Sequence, residues 1–335
     1  MRNMSYLLEL DKLNSIDYLT QQIITNKTLA IGLCDIILKT LNFYLEGYPH
    51  KAFSELSTYL TNHRNNINVL ITPDDISEHI HYLYRARLGD RKTFVKKDLF
   101  HLPFELRHKV EPRRYSIPGL PCLYLGGSTY VCWEEFGRPN LAHVHICRFE
   151  PQYNVQLKVL DFGYRAAHVA AYVNANRHRL QHPCKKVDFV VGQVILWPLI
   201  ASSSIQVLEP DSPFKPEYVI SQLLLQWLTD STDCDGIRYF STHIENYPNS
   251  IIAVSNFAFP VRTNADNGHC SVLKSKFQLS EPLFWQLATA APPHSGNAPN
   301  VQFDLEIAKG VKVPYVRTEF GAMQYYLANM KCSPL

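Results

Sequence analysis

The first part of the chain has the spacing of apolar positions that amphipathic helices require. Over residues 33–44 apolar side chains recur every three or four positions, which predicts a helix with one apolar face. The Gly and Pro of residues 46–49 end that helix, and a second helix is predicted over residues 52–60. A turn signal at residues 72–75 marks a domain boundary. We therefore predict a helical N-terminal region over residues 1–75, as a cap on the following domain, with an independent module as the alternative.

Beyond residue 80 the pattern changes to short strands that alternate with helices. Runs rich in β-branched and aromatic residues predict strands at residues 81–85, 122–125, 142–149, 155–162, 235–241 and 251–259. Helical spacing predicts helices at residues 129–136, 166–180, 216–228 and 319–328. Gly126-Gly127 predicts a turn, and Ser128 can cap the first of these helices. This alternation predicts an α+β fold, with one domain over residues 76–262 and a C-terminal extension over residues 263–335 packed on it.

The composition is that of a globular protein. Of its 335 residues 46% are hydrophobic and 19% charged, which excludes a disordered chain. The net charge of +3 is not concentrated in a Lys/Arg block, which argues against a direct nucleic-acid partner. The longest uncharged apolar stretches, residues 29–34 and 190–200, are too short or too interrupted to span a bilayer. Because Glu9 and Asp11 also interrupt the apolar run of a secretory signal, we expect a cytoplasmic protein with no membrane partner.

The cysteine, histidine and kinase-like motifs of the sequence do not predict a disulfide framework, a metal site or a kinase. The eight cysteines form no Cys-x-x-Cys pair, which favours reduced thiols over a disulfide framework. His and Cys lie close together at residues 143–147, 178–184 and 269–270, but without the two tight ligand pairs of a structural zinc site, and no metal site is predicted. Residues 161–163 spell the Asp-Phe-Gly of kinases. The sequence lacks the kinase glycine-rich and catalytic loops, so a strand end followed by a turn explains the tripeptide better.

Four short motifs follow one another between residues 80 and 260. They are Tyr84-Arg85, the segment 114–125 from Arg114 to a Leu-Tyr-Leu strand, the Cys-Trp-Glu-Glu of residues 132–135, and the Asp-Gly-Ile-Arg-Tyr-Phe-Ser of residues 235–241. Each motif alone is weak evidence, whereas their joint order is specific. In this order the chain resembles the RES-domain family, which is named for its Arg, Glu and Ser. The chain departs from the usual family pattern at Arg113, where Gly is usual, and at Ser116, where Asn is usual.

The resemblance implies that residues 76–262 form a RES-like catalytic domain. The implied fold has an ADP-ribosyltransferase-like mixed-sheet core. The implied activity is cleavage of the nicotinamide–ribose bond of NAD by hydrolysis or phosphorolysis, in a toxin or defence effector. NAD is then the substrate, and no prosthetic group is implied. The implied partner is an antitoxin or immunity protein, and the resemblance leaves open whether the chain forms a homo-oligomer. The alternatives are an ADP-ribosyltransferase that modifies a macromolecule, and a catalytically inert RES-like scaffold that binds a partner.

Five residues of these motifs have the chemistry that NAD cleavage requires. Glu135 is the candidate carboxylate for stabilising the positive charge that builds on the ribose. Arg85 and Arg114 can clamp the pyrophosphate, because a guanidinium presents a planar fork to phosphate oxygens. Tyr124 can stack on the nicotinamide or orient the ribose, and Ser241 can hydrogen-bond the ribose or the amide. Predicted catalytic residues are thus Glu135, Arg85 and Ser241, and predicted NAD-binding residues are Arg85, Arg114, Tyr124 and Ser241.

Each of these residues also has an ordinary structural explanation, and Glu135 has a neighbour of the same type. The arginines could form surface salt bridges, Tyr124 could pack in the core, and the Ser241 hydroxyl could belong to a turn. Glu134 and Glu135 lie on one predicted helix, where neighbours point about 100° apart, so both are not expected to face one pocket. The family's usual interval from Tyr124 favours Glu135, which leaves Glu134 as a supporting or solvent-facing charge.

Overall fold

The computed structural model describes residues 18–71, 82–89, 94–230, 234–244, 252–286 and 303–335. Contacts divide the chain into a helical unit, made of residues up to 70 and residues 165–201, and a sheet unit, made of residues 71–164 and 202–335. The predicted boundary at residue 75 lies outside the described residues. Residues 165–201 come from the middle of the predicted catalytic domain, and the contacts group them with the N-terminal helices.

The predicted helices and strands each overlap an element of the structure. The helices are α1 (Tyr18–Leu45), α2 (Pro49–Asn62), α3 (Arg64–Asn68), α4 (Thr129–Glu135), α5 (Ala166–Asn176), α6 (Lys185–Ile195), α7 (Trp197–Ser202), α8 (Val219–Thr229), α9 (Ser271–Lys276) and α10 (Glu319–Asn329). The strands are β1 (Leu83–Leu88), β2 (Cys122–Gly126), β3 (Val144–Pro151), β4 (Val159–Phe162), β5 (Gly236–Phe240), β6 (Ser255–Pro260), β7 (Phe277–Leu279), β8 (Leu283–Phe284), β9 (Asp304–Ala308) and β10 (Val311–Pro314). The elements α3, α6, α7, α9 and β7 to β10 have no counterpart in the predicted set.

The helical unit is built on close packing between α1 and α2 and on an aliphatic core beside α6. Gly32 gives the Tyr59 ring of α2 room to approach α1, because a Cβ at this position would lie 2.8 Å from the Tyr59 hydroxyl. That hydroxyl donates a 2.9 Å hydrogen bond to the Leu29 carbonyl, and Lys39 pairs with Glu55 at 2.9 Å. One buried cluster of the unit consists of Leu19, Leu180, Val187, Val190, Val191 and Ile195.

Helix α1 is longer than the sequence pattern predicts. Its 28 residues are long and apolar enough to cross a membrane, by length and composition only, and among the described residues it is the one helix that meets this test. The mostly buried core helix of a soluble protein and a signal sequence near the N-terminus meet the same test, and 17% of the apolar 18-residue window of α1 is buried. The cytoplasmic location therefore stays a prediction.

The sheet unit contains a mixed sheet, which confirms the predicted α+β class. Eight strands form it in the order β4-β5-β6-β2-β1-β3-β7, with β8 also on β3. Strands β4 and β5 run parallel, and the other neighbours are antiparallel. Because β7 and β8 pair with β3, the sheet continues into the region predicted as a C-terminal extension. A separate pair, β9 and β10, follows.

The connection from β2 to α4 fixes the start of the helix that carries Glu135. A side chain at Gly127 would collide with the Ile252 carbonyl, so only glycine allows the chain to turn this closely there. Ser128 caps α4 as predicted, because its Oγ accepts a 3.1 Å hydrogen bond from the Val131 N–H. The Ser128 hydroxyl also donates to the Ala253 carbonyl at 2.5 Å, which ties the cap to the turn before β6.

Candidate active site

The Glu135 carboxylate is held on one side and accessible on the other. Its Oε1 accepts hydrogen bonds of 2.7 Å from the Ser241 hydroxyl and 2.7 Å from the Asn256 amide Nδ2. Its Oε2 lies 3.8 Å from Nε2 of His243, and the Glu135 side chain is 33% exposed. Two donors on a single oxygen fix the direction of the carboxylate, so the second oxygen can meet a ligand without reorganisation.

Neighbouring strands bring these partners together. Ser241 directly follows β5, and Asn256 lies in β6 opposite Tyr239. The buried Ser241 hydroxyl accepts a 3.2 Å bond from the His243 N–H, so its own proton is directed to Glu135. The structure thus joins two predicted catalytic residues, Glu135 and Ser241, which are separated by 106 positions in the sequence.

Glu134 points to a different environment. It is buried, with 3% of its side chain exposed, and accepts a 3.0 Å hydrogen bond from Nε of Arg138 one helical turn later. The two adjacent carboxylates of α4 therefore separate, and Glu134 is a buried supporting charge, not a solvent-facing one.

Tyr124 in β2 and Tyr239 in β5 lie on the two strands that flank β6, which carries Asn256. The Tyr124 hydroxyl accepts a 3.1 Å bond from the Tyr115 N–H and shares a 2.7 Å bond with the Ser116 hydroxyl. The rings of Tyr115 and Tyr239 lie 4.7 Å apart. Burial raises the pKa of Tyr124 and of Tyr239 well above the usual value, and at Tyr239 the negative charge of Glu135 adds to the shift. Both tyrosines are therefore neutral, and of the two only the pKa shift of Tyr239 includes the charge of Glu135.

Both predicted clamp arginines already bind backbone carbonyls. Buried Arg114 donates from Nη1 to the Ser203 carbonyl at 2.9 Å and from Nη2 to the Ile205 carbonyl at 3.0 Å. Arg85 donates from Nη1 to the Tyr124 carbonyl at 3.2 Å, and burial lowers the pKa of Arg85. A guanidinium has five N–H donors, so a phosphate contact uses N–H groups other than those bonded to these carbonyls. The clamp itself stays a prediction.

Electrostatic contacts place both arginines in the surroundings of Glu135. The Arg114 guanidinium lies 5.1 Å from the centre of the Tyr218 ring. The charges of Arg114 and Glu135 both shift the pKa of Tyr218, in opposite directions, while burial is the larger effect and raises it. Arg85 and Glu135 likewise both act on Cys132, whose pKa burial raises to about 12.

One relative among curated proteins decides the family. The chain is 33% identical over 306 residues to the protein named Putative toxin YopC of Bacillus subtilis (strain 168), which covers 88% of this chain and 67% of that protein. The chain belongs to the YopC family of toxin-like proteins. No protein-family model matches the YopC-family chain, and no solved structure matches it. The RES resemblance of the YopC-family chain therefore rests on its own residues.

The site of this YopC-family protein includes residues that the motifs did not single out. Asn256 is a polar position within the apolar run of residues 251–260, and this interruption was its sequence signal. Tyr239 lies inside the Asp-Gly-Ile-Arg-Tyr-Phe-Ser motif, and His243 follows Ser241 by two positions. The contact of Asn256 with Glu135 joins positions 121 residues apart, which no local pattern predicts.

A buried ion pair joins β4 to β5, and Ser241 directly follows β5. Arg238 of β5 bonds from Nη1 to Oδ2 of Asp161 in β4 at 3.2 Å, and each side chain is 2% exposed. Nε of Arg238 donates to Oγ of Ser255 at 3.2 Å. Oδ1 of Asp161 accepts a 2.8 Å bond from the Gly163 N–H, and a Cβ at Gly163 would collide with the guanidinium. In this YopC-family chain the Asp-Phe-Gly tripeptide is thus part of an ion-pair site.

Proposed function

We propose that this chain destroys NAD by cleaving its nicotinamide–ribose bond, and that this activity makes it a toxin or defence effector. The proposal rests on one observation, the position of the Glu135 carboxylate. Ser241 and Asn256 hold its Oε1, and its Oε2 is accessible to a ligand. Membership of the YopC family supports the toxin part, and the ordered Arg, Glu and Ser motifs support the NAD part.

The proposed reaction needs a fixed negative charge more than a strong nucleophile. As the bond between ribose C1′ and the nicotinamide nitrogen breaks, the electron pair leaves with nicotinamide and positive charge develops on the ribose. A preoriented carboxylate stabilises that charge, and the acceptor oxygen then bonds to C1′. With water the products are ADP-ribose, nicotinamide and a proton. With phosphate they are a phosphorylated ADP-ribose and nicotinamide.

Expression of the chain is expected to lower cellular NAD and slow growth. The reason is continuous consumption of NAD at the Glu135 site. Cellular NAD and culture density are measured after induction, with Glu135→Gln as the matched control. NAD that stays level while soluble, folded protein is present would contradict the proposal. Incubation of purified protein with NAD, with and without phosphate, then identifies the acceptor from the products.

Loss of either predicted clamp arginine is expected to weaken NAD binding. Arg85→Ala and Arg114→Ala each raise the KM for NAD about tenfold or more, since a charge-assisted hydrogen bond contributes roughly 1.5–3 kcal/mol. KM is measured by nicotinamide release at varied NAD.

The matched control for the arginine variants is Arg113→Ala. Its side chain is 67% exposed and pairs with Glu111 at 3.1 Å, so its loss leaves KM unchanged. Because Arg114 also bonds to two carbonyls, the urea midpoint of each variant is measured beside its KM. If KM stays at the parent value in both Arg85→Ala and Arg114→Ala, the pyrophosphate binds elsewhere.

A further inference from the structure

Helix α1 presents an apolar stripe on the side opposite its buried face. The buried side chains of α1 are Leu19, Leu33, Ile37 and Thr40. Four large aliphatic side chains at seven-residue spacing are exposed instead, namely Ile24 (49%), Ile31 (59%), Leu38 (62%) and Leu45 (61%). Seven residues turn an α-helix by two turns less about 20°, so these positions form one continuous line along the helix.

The intermediate positions complete the pattern of a coiled-coil seam. With Ile24, Ile31, Leu38 and Leu45 at the a positions of a heptad, the d positions are Lys27, exposed Cys34 and half-buried Leu41. Beside the seam, Thr28, Asp35 and Asn42 are polar and exposed. An apolar seam with a polar flank fits another helix with the same repeat.

Charges on the seam identify the partner as a second copy of α1 in antiparallel orientation. Lys27 and Asp35 lie four residues to either side of Ile31. Two copies that cross antiparallel near Ile31 bring Lys27 of each copy next to Asp35 of the other. A parallel pair would instead place the charged Lys27 at the d position beside Lys27 of the other copy, which is unfavourable. The contact is then self-complementary, as a two-fold symmetric dimer requires.

We propose that this chain forms a homodimer through Ile24, Ile31 and Leu38 of α1, which pack antiparallel on the same three residues of a second copy. The proposal is independent of NAD cleavage, since α1 lies in the helical unit and the candidate active site in the sheet unit. A bilayer is a poorer occupant, because the exposed side of α1 also carries Lys27, Asp35 and Lys39.

The mass of the full chain in solution tests the proposal. Light scattering coupled to size exclusion, over a range of concentrations, is expected to give twice the chain mass of 38.5 kDa. Ile31→Lys and Leu38→Lys halve that mass, because a charge enters the apolar seam. The matched control Thr25→Lys, an exposed position on the polar side of α1, stays dimeric. Circular dichroism shows that all three variants remain helical.

Charge exchange tests the antiparallel orientation. Lys27→Glu weakens the dimer at least several-fold, since it faces Asp35 of the other copy, and Lys27→Glu with Asp35→Lys restores it.

Disulfide trapping tests whether Ile31 lies at the contact between the copies. In a Cys34→Ser, Cys184→Ser background, Ile31→Cys forms an intermolecular disulfide on mild oxidation, and Thr25→Cys does not.

Three results overturn the proposal. The first is a wild-type chain that stays monomeric at every concentration, and the second is a dimer that survives both Ile31→Lys and Leu38→Lys. The third is a monomer that sediments with anionic phospholipid vesicles and loses this binding in Leu38→Lys, which identifies a membrane as the occupant of the stripe.

Discussion

Glu135→Gln is expected to lower kcat for nicotinamide release on the order of a hundredfold, with the KM for NAD within a few-fold of the parent. The amide keeps the shape of the side chain and removes the negative charge that the developing ribose cation requires. Because Oε2 is accessible to a ligand, loss of its charge destabilises the transition state more than the bound substrate. Steady-state nicotinamide release at varied NAD separates kcat from KM.

Glu134→Gln is the matched control for this variant. Glu134 lies on the same helix, one residue away, but is bonded to Arg138 and buried. Its amide can keep a hydrogen bond there, so activity is expected to stay within a few-fold of the parent. If Glu134→Gln proves the more damaging of the two, the assignment of the ribose carboxylate is shifted by one residue.

The hydrogen bonds of Glu135 show why its substitution by Gln tests the negative charge and not the position of the side chain. Ser241 and Asn256 both donate to Oε1. In Glu135→Gln the amide oxygen can still accept both bonds, so the side chain keeps its direction. A fall in kcat with intact folding therefore reports the missing charge at the other atom.

Local signals in the sequence predicted the turn and helix that carry Glu135. The pair Gly126-Gly127 followed by Ser128 predicted a turn and a helix cap, and the structure shows both. These features depend on residues within one helical turn, so a short window contains their physical cause. The separation of Glu134 from Glu135 follows in the same way from the helical angle of about 100°.

Long-range pairing is the part that the sequence did not predict. The extension expected after residue 263 contains β7 and β8, which are short and join the sheet only through β3. Strand pairing depends on a distant partner, so three residues such as Phe277–Leu279 carry no periodic signal of their own. The apolar period of residues 33–44 likewise located only part of α1, because its seam residues are apolar on the exposed side.

The Asp161–Arg238 pair shows how a misleading motif acquires a physical explanation. Asp-Phe-Gly matched a kinase tripeptide, whereas the structure uses Asp161 as a buried ion partner and Gly163 as room for the guanidinium. Burial raises the pKa of Asp161, and Arg238 and the Gly163 N–H favour its charged form. The partner of Asp161 lies 77 residues away, which is why the tripeptide alone could not reveal it.

Arg238→Met is expected to destabilise the protein by about 3–5 kcal/mol, because it leaves the Asp161 charge buried without its partner. Asp161→Asn is expected to cost a similar amount, since Arg238 then keeps an unpaired charge. Urea unfolding, followed by tryptophan fluorescence and circular dichroism, measures both. The control is Glu111→Gln, which breaks the exposed pair with Arg113 and is expected to leave the urea midpoint unchanged.

The double variant Asp161→Leu, Arg238→Met tests whether the ion pair itself stabilises the fold. The alternative is that the single variants lose stability only because each leaves one buried charge without a partner. Nη2 of Arg238 has no acceptor among the described residues, so the network is not fully satisfied. Removing both charges also removes that unmet donor, and the double variant is expected to be more stable than either single variant. Asp161→Leu alone completes the cycle, and losses in Asp161→Leu and Arg238→Met that simply add in the double variant would show that the charges do not interact. A small loss in Arg238→Met alone, within about 1 kcal/mol, would contradict the expected penalty of an unpaired buried charge at Asp161.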